Sequence, residues 1–336
     1  MNKYKIVQIV CWTIVFVVFI GLAIWFITRG STSFTGRFSI ENLRGPYEEK
    51  ARYRIDTSKV ESMELSWTAG EIIIRPYDGE EIELVEYAQR DLDEDEKLSY
   101  NVDHNTMTIS FCKKQFRILD PMPPKKLEIF VPEKLAADFN DVFLNCVSST
   151  VDVYNIKAQS FYAKTVSGEV FLTDITADKS EVRSTSGTLE LDNIMSSKLE
   201  LKTVSGEIRV QRLTAADVSA HSTSGEITLT EVTTEQLDFD TVSGEVEFDG
   251  SFQMLTANTT SGDLDITVDT VPNSINIKTV SGEVNLMMPA STDFGVYYKT
   301  VSGDFHSGIP MRSLDESTAA FKIKTTSGDI KITELK

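Results

Sequence analysis

Thr203-Val-Ser-Gly-Glu-Ile208 is followed nineteen residues later by Ser222-Thr-Ser-Gly-Glu-Ile227, and after the same interval by Thr241-Val-Ser-Gly-Glu-Val246. The phrase occurs nine times, with its glycine at Gly168, Gly187, Gly206, Gly225, Gly244, Gly262, Gly282, Gly303 and Gly328. The steps between glycines are 19, 19, 19, 19, 18, 20, 21 and 25 residues. A nearly constant period of this size marks one structural unit stacked on itself.

Position within a repeat is counted from its glycine. Positions −7 and −5 are mostly apolar, as in Leu199 and Leu201, Leu237 and Phe239, Ile275 and Ile277. Position −3 is always Thr or Ser, and +2 is always Val, Ile, Leu or Phe. Apolar residues at every second position describe a half-buried strand. The parity of the inward positions changes across the glycine, so the chain turns at the Ser-Gly pair. Glycine permits a tight backbone there, and the Ser hydroxyl can bond the corner's own backbone groups. Each repeat reads as two short strands joined by a corner.

One such unit cannot bury its own apolar face, whereas parallel stacking buries every face in one column. The expected fold is all-β: a single-stranded parallel β-solenoid (β-helix) of about 19-residue coils. About ten coils would extend roughly 45–50 Å at the usual strand spacing. Asn145-Cys-Val-Ser-Ser-Thr-Val151 is an earlier copy, with Cys146 in the inward −3 slot. Trp67-Thr-Ala-Gly-Glu-Ile72 is a degenerate one.

Residues 6–28 carry no charge and are largely apolar. Twenty-three helical residues span about 34 Å, enough for a hydrocarbon layer of about 30 Å. With no small-residue cleavage site, the segment reads as an uncleaved single-pass anchor. The expected organisation is an anchor at 1–30, a juxtamembrane linker at 31–55, an amino-terminal cap with irregular β-coils at 56–140, and regular repeats at 141–336. The short tail ahead of the span places the amino terminus in the cytoplasm and the solenoid outside it. The expected location is the cell membrane.

The net charge is −18. Residues 1–30 hold Lys3, Lys5 and Arg29 and no acid, so subtracting their +3 leaves −21 on the remainder. Such a surface argues against nucleic acid as a partner and favours basic partners or cations. Cys11 lies in the span, and Cys112 and Cys146 read as buried thiols rather than a disulfide framework. The acidic run Asp91–Glu96 lacks the glycine and distal Glu of a calcium loop and reads as a solvated loop.

Outward positions carry the candidate chemistry. Position +1 is acidic in eight of nine repeats, and −4 is basic in six of nine: Lys164, Arg183, Lys202, Lys278, Lys299 and Lys324. The expectation is a salt-bridge ladder along the corner. At His221, Asp240 and Asn258 the ladder loses its permanent cation. Asp238, Asp240, Glu245, Glu247, Asp263 and Asp265 then form a candidate acidic patch for Ca²⁺ or a basic partner segment. No other cofactor is indicated. A Gly-x-Ser-x-Gly elbow, zinc-ligand spacing and a phosphate loop are all missing, and the three histidines, His104, His221 and His306, fall at scattered phases.

The stacked Thr-Val-Ser-Gly-Glu-Val phrase resembles the bacterial "putative adhesin" family of β-strand repeats, including its LiaG-type membrane-anchored members. Leu127-Glu-Ile-Phe-Val-Pro132 and Val284-Asn-Leu-Met-Met-Pro-Ala290 resemble the strand-then-proline signature of that family. The resemblance covers about residues 60–336. It implies a non-enzymatic cell-envelope protein that presents an acidic solenoid for binding or scaffolding, in adhesion or envelope stress, with a basic protein or an envelope component as partner. Two alternatives stand beside it. One is a cation-dependent β-helix enzyme acting on polysaccharide. The other is a scaffold that joins end to end through an uncovered carboxyl-terminal strand.

Overall fold

Val170 pairs in parallel with Val151 on one side and with Leu189 on the other, each nineteen residues away. The sequence period is thus the offset of the ladder. The computed structural model describes residues 46–113, 123–290 and 295–335. The expected span at 6–28 and the first part of the linker lie outside the described residues. Among those described, no helix is long and apolar enough to cross a membrane.

The described elements run in chain order. They begin with β1 (Glu48–Asp56), β2 (Ser62–Tyr77), β3 (Glu81–Ala88), β4 (Ser99–Asp103), β5 (Thr106–Ser110) and β6 (Lys125–Pro132). A short helix α1 (Glu133–Ala136) leads into the long strands β7 (Phe139–Lys164), β8 (Val170–Arg183), β9 (Leu189–Lys202), β10 (Ile208–Ser222), β11 (Ile227–Thr241) and β12 (Val246–Asn258). Shorter strands follow: β13 (Leu264–Val268), β14 (Ser274–Lys278), β15 (Val284–Met288), β16 (Gly295–Lys299), β17 (Phe305–Ser307), β18 (Arg312–Ser313), β19 (Phe321–Lys324) and β20 (Ile330–Glu334). All belong to one continuous sheet. Residues 48–55, expected as linker, instead form most of β1, which pairs antiparallel with β3.

Each regular coil turns more often than the sequence indicated. Between one Ser-Gly corner and the next, the chain runs as a single hydrogen-bonded strand that bends twice. The first bend is a column of left-handed residues at Asn155, Asp174, Asn193, Arg212 and Glu231, with φ of 50–58°. At the second bend two successive residues face outward, as at Asp178–Lys179 and Glu235–Gln236. Side chains on the three segments point inward to one core that runs from Ile55 to Ile332. The left-handed column ends at Gly250 (φ 150°), where the 18-residue step removes a residue and the register shifts between Leu229 and Val232. A Cβ on Gly250 would lie 2.1 Å from the Val232 carbonyl oxygen, so only glycine rounds this shortened bend.

The coils do not stack in sequence order at either end. β2 lies between β7 on one side and the pair β5 and β6 on the other, all parallel to it. The outermost amino-terminal coil therefore comes later in the chain than the coil it covers. Antiparallel strands finish this end, with β4 against β5 and β3 against β6. At the other end, β19 sits between β14 and β16, and β20 between β15 and β17. The last motif of the chain fills a slot between two earlier ones. The insertion at 308–320 gives the chain enough length to double back. This corrects the expectation of an uncovered carboxyl-terminal strand, because β20 is paired along both edges. The outermost strands are β16 and β17, and β18 covers the start of β16. Tyr298 and Phe305, at positions buried in other coils, stack on each other here with centroids 3.8 Å apart, and Tyr298 remains 38 % exposed.

Cys146 is buried in its −3 slot, and burial pushes its thiol up to about 12. Cys112 is half-buried rather than buried, and no disulfide joins it to Cys146. Iodoacetamide applied to the native protein at pH 8 should therefore leave Cys146 unmodified, as read by peptide mass mapping. Labelling of Cys146 before unfolding would contradict its placement.

Candidate functional site

The Ser-Gly corner is built by two columns. The Thr or Ser at −3, buried in every motif but that of half-buried Thr300, accepts a hydrogen bond from the glycine N–H in all nine, at 2.7–3.0 Å. The Ser at −1 donates to the −2 carbonyl of the neighbouring coil, as in Ser186 Oγ to Val166 O at 3.3 Å. Glycine is required by space rather than by φ. A Cβ on any of the nine glycines would stand 1.7–2.2 Å from the carbonyl oxygen of the corner residue in the adjacent coil. The sequence identified the corner but assigned its hydroxyl chemistry to Ser. The Thr at −3, read only as core, is the residue that satisfies the glycine N–H.

Thr203→Val should cost about 1–3 kcal/mol, because it leaves the buried Gly206 N–H without a partner. Thr203→Ser should be nearly silent, since Ser184 and Ser222 do the same work in the flanking coils. Urea denaturation of both variants separates a hydroxyl requirement from a shape requirement.

An open groove of about 640 Å³ runs beside this corner, from Lys164 to Thr260. Its floor is the Thr/Ser column, and its rim is a line of exposed −2 residues such as Val204 (49 %) and Val242 (49 %). Lys164, Arg183 and Lys202 line one half, and His221, Asp240 and Asn258 line the other. The groove changes sign along its length.

The expected ladder between −4 cations and +1 acids is not among the ion pairs of the described residues. Arg183 pairs with Glu181, and Lys202 with Glu200, each two residues upstream on the same strand face. Glu207 at +1 pairs with Arg209, two residues downstream. The corner sends −4 and +1 to different faces, while residues i and i+2 share one.

The corner also divides the acidic patch. Asp238 and Asp240 lie before it on β11; Glu245, Glu247, Asp263 and Asp265 lie after it, with Glu247 beside Asp265 in register. Asp240 approaches His221 Nδ1 at 3.3 Å and accepts from Asn258 at 2.9 Å. Asp263 accepts from the Glu283 N–H and Asp265 from Asn285, both at 2.8 Å. Burial, and then Asp240, push the Asp238 carboxyl up. Burial pushes Glu245 up, with Asp265, Glu226, Asp263 and Glu247 adding to it. Among the described residues, no group of three or more His, Cys, Asp or Glu is spaced to hold a metal ion.

A second polar centre escaped the sequence reading. Lys125 and Glu86, both fully buried, pair at 2.5 Å inside the amino-terminal cap. Lys125 also donates to the carbonyls of Phe111 and of Glu96, the latter at 2.8 Å, and lies 4.2 Å from the Phe111 ring centroid. Glu86 accepts from the Leu98 N–H at 2.9 Å. Lys125 occupies the corner position of the outermost coil, opposite Gly70. Burial holds its amine below the usual lysine range. This centre has no opening to solvent and closes the column.

A parallel β-solenoid with stacked Thr-x-Ser-Gly corners and a groove along them defines the class. A family model described as Toastrack DUF4097 matches residues 60–249 and 199–333, and the chain belongs to that family. No curated protein matches it. Among solved structures it is similar to a "putative adhesin" from Parabacteroides distasonis, with 12 % identity over 87 % of this chain and 98 % of that one, TM-score 0.44. It is similar to another from Bacteroides fragilis, with 14 % identity over 86 % and 97 %, TM-score 0.39. A "putative cell adhesion protein" from Clostridium sporogenes has 13 % identity over 86 % and 100 %, TM-score 0.21.

Proposed function

We propose that the chain is a non-enzymatic, membrane-anchored protein of the cell envelope, of the LiaG type. It presents its solenoid outside the cytoplasm to bind an extended partner segment. The observation that carries this reading is the open corner groove, repeated coil by coil and changing sign at His221. An open groove running along stacked coils suits an extended chain, and its Asp240 half suits basic side chains. A catalytic site should interrupt the repeat with a singular set of groups. The groove instead varies one repeated position, −4, from cation to acid. The uncharged segment 6–28 supports the anchor.

Two measurements test the proposal on the full chain in cells. A cysteine at exposed Val204 should react with a membrane-impermeant maleimide in intact cells; reaction only after lysis would overturn the extracytoplasmic placement. A photo-crosslinker at Asp240 should capture a partner through a basic segment. Capture that persists unchanged in Asp238→Asn/Asp240→Asn carriers of a crosslinker at Val242 would overturn the groove's role.

A further inference from the structure

The groove's strand face becomes basic at the far end of the column, in a chain whose net charge is −18. Lys278, Lys324 and Lys299 are lateral neighbours on β14, β19 and β16, paired in register. Strand spacing sets their backbones about 4.8 Å apart. Lys322 lies two residues before Lys324 on the same face, between Asn276 and Tyr297. The next coil inward supplies Thr256 and Asn258 to this face, so neither neighbour there is an acid.

One carboxylate reaches the row. Glu316, from the 308–320 insertion, forms an ion pair with Lys324. Its carboxyl is held below the usual range by that hydrogen bond, with the charges of Lys324, Lys322 and Lys299 adding to it. Among the described residues, Lys278, Lys299 and Lys322 have no carboxylate in ion-pair contact. Glu316 therefore satisfies one cation of four, as a single internal anion on a multivalent surface.

We infer that Lys278, Lys322, Lys324 and Lys299 form a binding site for a linear polymer bearing repeated phosphate groups, and that Glu316 occupies part of it until the polymer arrives. Three features select this ligand. The cations are lysines, compact point charges suited to phosphate rather than to planar bidentate carboxylate pairing. Lys278, Lys324 and Lys299 form a row, one per strand, with Lys322 beside it, which matches charge repeated along a chain. The rest of the molecule is strongly acidic, so a thin polyanion can touch the row where a flat anionic bilayer would be repelled. The site is separate from the groove partner proposed above and stands without it.

Calorimetric titration of the purified full chain with linear inorganic polyphosphate tests the inference. Binding should be measurable at low ionic strength and should weaken steeply with added salt. Glu316→Gln should bind about two- to fivefold tighter, as removal of an exposed competing ion pair allows. The double variant Lys278→Glu/Lys299→Glu changes only exposed side chains; it should bind at least about tenfold more weakly with an unchanged melting temperature. Absence of binding by both wild type and Glu316→Gln, or equal binding by the lysine double variant, would overturn the site. Binding unaffected by Glu316→Gln would overturn the role of the insertion. Soluble dihexanoyl phosphatidylglycerol is the second probe. If it binds through the same lysines and polyphosphate does not, the ligand is a lipid headgroup and the polymer assignment fails.

Discussion

Gly225→Ala should destabilise the solenoid by about 3–5 kcal/mol, at the upper end of single-site effects. The added methyl would stand 1.7 Å from the Gly206 carbonyl oxygen, inside the backbone of the next coil. Nothing flexible is available to move, because both partners are main chain and both are buried. The two coils must separate at the corner, which weakens the flanking ladder hydrogen bonds and opens the core column beside them. An effect of that size corresponds to a fall of roughly 6–20 °C in melting temperature. Ser224→Ala, one residue away, removes only a 3.4 Å surface hydrogen bond and should cost less than about 1 kcal/mol. A Gly225→Ala protein that melts with wild type would contradict the stacked-glycine account of the corner.

The second large effect is expected at the other polar centre. Glu86→Leu alone should cost about 3–5 kcal/mol, because it leaves the buried Lys125 ammonium without its counter-charge. Lys125→Met alone strands the Glu86 carboxylate in the same way. The double variant should recover much of either loss, since an apolar pair can replace a buried ion pair at little cost. Recovery should not be complete. The Leu98 N–H loses its acceptor, and the Glu96 and Phe111 carbonyls lose their donor. A coupling energy of about 2–3 kcal/mol between the two sites is expected from chemical denaturation of the four proteins. Simple additivity would show that the pair does not act as one unit.

The solenoid was legible in the sequence because the corner is a constant. Gly168 to Gly328 recur in phase, and a Cβ is excluded at every one of them. The left-handed bend at Asn155, Asp174, Asn193, Arg212, Glu231 and Gly250 was not legible. Its requirement is a backbone angle that Asn, Asp, Arg and Glu all adopt here, so no single identity recurs from coil to coil. The Lys125–Glu86 pair was hidden for a related reason. Each is a polar residue in an alternating strand, where outward and buried-but-paired look alike.

The stacking order at the ends was least legible of all. The motifs at Gly282, Gly303 and Gly328 are chemically interchangeable, so the sequence carries no address for each coil. Only the 25-residue step hints that the chain doubles back. Reading the candidate site failed and succeeded along similar lines. Of the candidate patch, Asp240 lines the groove, beside His221 and Asn258, whereas Asp238, Glu245, Glu247, Asp263 and Asp265 are not among its lining residues. The cation–acid ladder was misassigned because −4 and +1 are close in sequence but divided by the corner. The lysine row at Lys278, Lys324 and Lys299 could not be seen as a row without the spatial order of β14, β19 and β16.

That order is the claim on which the column's end and its basic row depend, and cysteine pairing tests it directly. Residues 280, 326 and 301 occupy the same exposed −2 position in three stacked coils. The Thr326 N–H bonds the Val280 carbonyl, and the Val301 N–H bonds the Thr326 carbonyl, each at 3.2 Å. Adjacent strands bring Cα atoms within the 4.4–6.8 Å that a disulfide spans, whereas a strand two places away is beyond about 7 Å. On mild oxidation, Val280→Cys/Thr326→Cys should form an intramolecular disulfide readily, and Val280→Cys/Val301→Cys should not. Rapid bonding of the 280–301 pair, with the 280–326 pair remaining reduced, would show that the coils follow sequence order and would contradict the fold described for this end.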